Sequence, residues 1–199
     1  MRIGILGGTF NPPHLGHLIC AQEAYLQLEL DAVTLMPARI PPHKPIDDEP
    51  GADHRLELCR RSALGDERLE VSDIEVSRSG PSYTVDTLET LRTDAPDSEL
   101  FLIVGGDIAA GLARWRRPER VLELATLAVA GRRGTPAEQV EQALEGLPGA
   151  ERSRFFRMPQ IAISSTMIRD RIRRGVPIKY LVPEAVAGYI EQQGLYVER

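Results

Sequence analysis

The sequence predicts an α/β protein, a doubly wound parallel sheet with helices on both faces and a short helical extension at the C-terminus. Short apolar runs alternate with helical patterns along the whole chain, as strands joined by helical crossovers do. Two of those runs end directly in Gly7-Gly8 and Gly105-Gly106-Asp107, the kind of strand-to-loop junction where open α/β sheets hold ligands. With 199 residues the chain has room for one domain with a sizeable core and little room for two, so a single domain over 1–199 is expected.

The elements follow in order. Arg2–Gly7 reads as the first strand and Leu15–Leu28 as the helix after it. Ala32–Met36 is a second strand that Pro37 ends, followed by a proline-rich loop to Gly51. Asp53 is a candidate cap for a helix to about Leu64. Leu69–Val76 reads as a third, more polar strand. A helix beginning at Ser82 or Thr84 runs through about Thr93, and Leu100–Val104 is a strongly apolar strand. Pro118–Leu124 is a short helix with proline in its first turn, and Leu127–Ala130 is the next strand. Thr135-Pro136-Ala137-Glu138 forms a capping box for a helix to about Leu144. Arg154–Met158 is a weaker strand. Ser165–Arg174 and Pro183–Gln193 are the last helices, and Leu195–Val197 is a candidate final strand.

Hydrophobic residues make up 42% and charged residues 27%, an ordinary globular balance that names no function. The formal net charge of −5 argues against non-specific nucleic-acid binding, so an anion site has to be a local cluster. Three of the four histidines fall in the first 43 residues. Cys20 and Cys59 show no metal-ligand spacing and read as buried, reduced thiols. No signal-peptide core and no membrane-spanning apolar stretch is evident, and a cytoplasmic location with no membrane partner is expected.

The first chemical string is Gly7-Gly8-Thr9-Phe10-Asn11-Pro12-Pro13-His14-Leu15-Gly16-His17. Its glycines let a ligand approach the backbone. His14 and His17, spaced i, i+3 at a helix start, lie on one side of that helix. A helix N-terminus with two imidazoles suits phosphoryl oxygens. The plain alternative is a glycine turn with two satisfied surface histidines. The string is neither a dinucleotide fingerprint nor a Walker A loop, and two histidines without a third ligand make a poor zinc site. The second string, Ile163-Ser164-Ser165-Thr166-Met167-Ile168-Arg169, places three hydroxyls at a helix N-terminus with Arg169 one turn in. Such a set favours phosphate as well, although Ser and Thr caps are common in their own right. Arg171, Arg173 and Arg174 read as a solvated face.

Together the two strings resemble the nucleotidyltransferase superfamily with its H/T-x-G-H and ISSTxIR signatures. From Arg2 to about Val197 the arrangement is similar to bacterial nicotinate-nucleotide adenylyltransferases. The resemblance implies a Rossmann-like sheet. It also implies adenylyl transfer from ATP to nicotinate mononucleotide, with Mg²⁺ carried on the ATP phosphates and no protein metal ligands. His14, His17, Lys44 and Arg169 would be the catalytic set. Gly7, Gly8, Thr9, Phe10, Asp107, Ile163, Ser164, Ser165 and Thr166 would complete the ATP site with them.

Three further segments fit the resemblance. Pro41-Pro42-His43-Lys44 matches a loop whose lysine reaches the ATP phosphates. Ser82-Tyr83-Thr84 opens a segment that shapes the acceptor pocket. Gly105-Gly106-Asp107 followed by Trp115 matches a segment whose aspartate contacts ribose and whose tryptophan stacks on pyridine, a flat ring suited to an aromatic partner. Asn11, where aspartate is frequent, keeps the turn geometry and loses the charge. Ala38 and Arg39 also depart from the pattern. Arg116, next to the tryptophan, either favours a carboxylate acceptor or points to solvent.

Other readings remain open at this stage. Nicotinamide mononucleotide and phosphopantetheine are alternative acceptors. A non-catalytic nucleotide sensor and an NAD-dependent oxidoreductase are alternative classes, the latter without its fingerprint.

Overall fold

The computed structural model describes residues 1–42, 46, 48–131 and 137–197. His43 and Lys44 of the proline-rich loop and Thr135-Pro136 of the capping box lie outside them.

The described residues form one six-stranded sheet of order β3-β2-β1-β4-β5-β6, with every neighbouring pair parallel. The strands are β1 (Arg2–Gly8), β2 (Ala32–Pro37), β3 (Leu69–Val71), β4 (Glu99–Gly105), β5 (Thr126–Gly131) and β6 (Arg154–Arg157). The chain winds outward from β1 to β3, crosses back to β4 beside β1, and winds outward again, which is the doubly wound arrangement. The order therefore reverses between β1 and β4, the two strands that end in glycine pairs.

Helices cover both faces: α1 (Leu15–Gln27), α2 (Ala52–Ser62), α3 (Ile74–Ser77), α4 (Thr84–Asp94), α5 (Gly106–Ala109), α6 (Pro118–Leu124) and α7 (Ala137–Leu144). Helices α8 (Ser165–Arg173) and α9 (Glu184–Gln193) form the C-terminal extension. Alternate strand residues face opposite layers. Ile5, Leu100, Leu102 and Val129 pack with Val85 and Leu88 of α4, Val121 of α6 and Val140 of α7. Leu6, Leu35, Phe101 and Ile103 pack with Ala21 and Ala24 of α1 and Cys59 of α2. A third cluster joins Leu58 of α2 to Ile168 of α8 and Val186 and Ile190 of α9. Both cysteines are buried and unbridged, and burial pushes the Cys59 thiol far up, so it stays protonated. At the sheet edge, the Gln27 side chain donates to the Arg157 carbonyl at 2.7 Å and accepts the Arg157 N–H at 2.9 Å. No helix among the described residues is long and apolar enough to cross a membrane.

Three elements differ from the sequence expectation. The strand expected over 69–76 stops at Val71, because the Ser72 hydroxyl accepts the Ile74 N–H at 3.3 Å and turns the chain into α3. Helix α2 is capped by Gly51 at φ 106°, a left-handed value that suits glycine, and Asp53 sits in its first turn. Helix α4 starts at Thr84, one of the two expected starts, with Tyr83 at its cap position. The final strand expected at Leu195–Val197 does not form: Gly194 ends α9 in the left-handed region, the Leu195 N–H turns back to the Ile190 carbonyl, and Leu195 and Tyr196 bury against the α8–α9 cluster.

Candidate active site

The first chemical string leaves the C-terminal end of β1, and α8, which follows β6, brings the second against it, at the edge of the sheet where β4 also ends. After β1 the chain passes Thr9 and a buried Phe10 with φ 50°, then a cis Asn11-Pro12 bond, and enters α1 at His14. Gly7, on this edge, is exposed, and a Cβ there would meet nothing within 4 Å. The His14 and His17 rings stack with centroids 3.7 Å apart, and Phe10 braces His17 edge-on at 4.9 Å. The His14 backbone N–H donates to His17 Nδ1 at 3.2 Å. With Nδ1 accepting, a neutral His17 carries its proton on Nε2, so its outer nitrogen is a donor. Gly16 makes the stack possible, because a Cβ there would sit 3.0 Å from two His14 ring atoms. The Leu15 N–H at the helix start donates to the Leu181 carbonyl at 2.9 Å, so this N–H is already taken.

Helix α8 is locked onto this turn. Ser164 caps it, accepting the Met167 N–H at 3.2 Å, while Thr166 is exposed and Ile163 packs on the third cluster. Ser165 Oγ donates to the Pro12 carbonyl at 2.8 Å. Arg169 is buried; its Nη1 donates to the Asn11 carbonyl at 2.9 Å and its Nε to Asp48 Oδ2 at 3.2 Å. Arg173 also pairs with Asp48. The two guanidinium groups, Arg173 first, hold the Asp48 carboxyl below the usual carboxylate range. Arg169 thus braces the β1–α1 turn and is ion-paired with Asp48.

Beyond β4, Asp107 lies in α5, exposed and folded back over Gly105; a Cβ on Gly105 would be 2.8 Å from Asp107 Oδ1. Trp115 follows the 3₁₀ turn Leu112–Arg114 and packs, half-buried, on the same core cluster as Tyr83. The Arg116 guanidinium lies 4.6 Å from the Tyr83 ring centroid and 3.5 Å from Asp86 Oδ2, so its charge is already engaged. Ser82 is buried, and its Oγ accepts the Arg39 N–H at 2.9 Å. Thr84 opens α4.

Beneath this segment lies Glu75, buried and accepting from Thr87 Oγ1 at 2.7 Å. Burial raises its carboxyl pKa, with the hydroxyls of Thr87 and Ser82 opposing the rise. A carboxyl raised in the folded state binds its proton more tightly there than when unfolded. Its contribution to stability is therefore present below the ordinary glutamate pKa and is lost as pH rises through the raised value. Glu75→Gln is expected to flatten the dependence of denaturant midpoint on pH above the ordinary glutamate range, which urea titrations at several pH values would read.

Sequence reasoning singled out His14, His17, Ser165 and Arg169, and the fold brings them together. It passed over Arg55, Asp48 and Glu75, whose surroundings carried no spacing signal. Among the described residues, no group of three or more His, Cys, Asp or Glu is placed to hold a metal ion. A cavity of about 600 Å³ lies elsewhere, between α7 and the approach to β6; Glu138, Glu141, Glu145 and Glu151 line it, a charge that repels nucleotides.

A cytidylyltransferase-like family model matches residues 5–171. The chain is 40% identical over 198 residues to the probable nicotinate-nucleotide adenylyltransferase of Geobacillus thermodenitrificans, covering 100% of this chain and 87% of that protein. It is 42% identical over 197 residues to the protein of the same name from Desulfitobacterium hafniense, covering 98% and 95% of the two chains. Its fold resembles that of the Plasmodium falciparum nicotinic acid mononucleotide adenylyltransferase solved with NaAD, with a TM-score of 0.78 over 98% and 97% of the chains at 18% identity. The model match over most of the chain and the full-length identity show that this protein belongs to the cytidylyltransferase-like family, among its nicotinate-nucleotide adenylyltransferases.

Proposed function

We propose that this chain transfers the adenylyl group of Mg·ATP to nicotinate mononucleotide, giving nicotinate adenine dinucleotide and pyrophosphate. The observation that carries the chemistry is the stacked His14–His17 pair beyond β1, with His17 Nδ1 occupied by a backbone donor. In-line transfer needs no covalent nucleophile on the protein; it needs placed substrates and donors for developing charge. A 5′-phosphate oxygen of the acceptor forms a bond to the α-phosphorus of ATP. The bond from that phosphorus to the bridging oxygen breaks, and pyrophosphate leaves with the electron pair. His17 Nε2–H donates to a phosphoryl oxygen as charge builds, and His14 binds beside it. Lys44, outside the described residues, and Arg169 neutralise the leaving group, with Asp48 yielding the Arg169 guanidinium as the phosphates arrive. Thr9, Ser165 and Thr166 add donors. Mg²⁺ arrives with the nucleotide as part of the substrate.

The acceptor sits between Trp115 and the start of α4, where the pyridine ring stacks on the indole. Trp115→Ala is expected to raise KM for nicotinate mononucleotide about tenfold, the scale of a lost aromatic contact, and to leave KM for ATP nearly unchanged. Initial rates with each substrate varied in turn would check this. The function itself is tested by following pyrophosphate release from Mg·ATP with nicotinate mononucleotide, nicotinamide mononucleotide and phosphopantetheine in parallel. The nicotinate compound should be fastest; a faster rate with either of the others would replace the acceptor, and release with none would leave a nucleotide-binding protein without this chemistry.

A further inference from the structure

Arg55, in the first turns of α2, is fully buried at 0% exposure. One carboxylate meets it, Glu49 Oε1 at 2.9 Å from Nε. The rest of its fork is spent on main-chain carbonyls: Nη1 donates to Thr9 at 2.9 Å and to Ala38 at 2.6 Å, and Nη2 to Arg39 at 3.0 Å. Thr9 belongs to the turn after β1, and Ala38 and Arg39 to the exit of β2. A buried cation is costly unless it is paired and hydrogen-bonded, and here Glu49 and three carbonyls from the loops that frame both substrates supply those partners. The same exits are cross-tied, since the Ala38 N–H donates to the Gly8 carbonyl at 2.9 Å. On the acceptor side, the Arg39 N–H meets Ser82 Oγ at 2.9 Å and the Ser82 N–H meets the Ile40 carbonyl at 2.8 Å.

We propose that Arg55 is a positioning residue that fixes the separation between the nucleotide turn and the acceptor segment. It touches neither substrate and acts through the carbonyls of Thr9, Ala38 and Arg39. This rests on the transferase reading above. Lysine keeps the charge but places three donors on a single nitrogen, so it cannot span these carbonyls and Glu49 together.

Arg55→Lys should lower kcat by about 30- to 100-fold, the scale of a displacement near 1 Å between reacting groups. KM for ATP and for the acceptor should each stay within about threefold, because each half-site remains intact. Glu49→Gln, at a partly exposed partner, should lower kcat about threefold with both KM values unchanged. Kinetics are measured on full-length protein at a temperature where circular dichroism shows each variant folded. An Arg55→Lys enzyme with the parent kcat, or with its whole loss in KM, overturns the positioning role. If that variant does not fold, a parent-like kcat in Glu49→Gln overturns it. A parent that releases no pyrophosphate with any acceptor overturns the transferase reading itself, a result distinct from an active parent matched by an equally active variant.

Discussion

His17→Ala is expected to keep its fold and to lose about 10²–10³-fold in kcat, the range for removing one preorganised donor from a developing negative charge. The fold should survive because His17 is only partly buried. Catalysis should not survive, because the protein has already prepared this imidazole. The His14 N–H occupies Nδ1, Phe10 braces the ring, and Gly16 leaves room for the His14 stack. Single-turnover rates, with thermal melting as the control for folding, would read the effect. A folded variant with near-parental turnover would refute the catalytic role of His17.

Arg169→Leu is expected to act on stability and on rate together. Its guanidinium is buried, and its loss leaves the Asn11 carbonyl without that donor, at a cost of about 1–3 kcal/mol. For a chain of this length that corresponds to roughly 2–4 °C of melting temperature per kcal/mol. From α8, the turn between β1 and α1 would then keep the Ser165 bond to the Pro12 carbonyl. Loss of the cation from the leaving-group side should lower kcat by about 10²–10³-fold as well. Arg169→Lys should recover part of the stability and little of the rate, since one ammonium cannot serve the Asn11 carbonyl and a phosphate in the same geometry. Calorimetry and pyrophosphate release on the two variants would separate these effects; a leucine variant with parental kcat when folded would confine Arg169 to a structural role.

The sheet was legible in the sequence because its central strands are apolar on both sides and bounded by glycine or proline. Ile5, Leu6 and the run Leu100–Ile103 alternate between two helical layers, so both faces demand hydrophobic residues. The periphery was less legible. Leu69, Val71, Ile74 and Val76 spread apolar residues through 69–76, yet a single hydroxyl at Ser72 diverts the chain after Val71. Gly51, not the acidic residue two positions later, starts α2, because the incoming chain needs a left-handed backbone there. In the site, the histidine pair and the Ser-Ser-Thr turn announced themselves as contiguous strings. Arg55 did not. In sequence it sits in a polar run, Asp53-His54-Arg55, with nothing to mark it as interior, and its carbonyl partners lie 16 to 46 residues away. Long-range main-chain acceptors leave no side-chain signature for a sequence to display.

The clasp of Gln27 on Arg157 has a consequence for the protein in concentrated solution. A parallel sheet with an open margin offers main-chain donors and acceptors to any extended segment that drifts past, and identical molecules then stack into fibres. One amide side chain from α1 fills both main-chain groups of Arg157 on the β6 margin, and at the opposite margin β3 is only three residues long, too brief to template much pairing. The fold is thereby guarded at both rims against strand recruitment, and Gln27→Leu would open one of them without touching the catalytic edge.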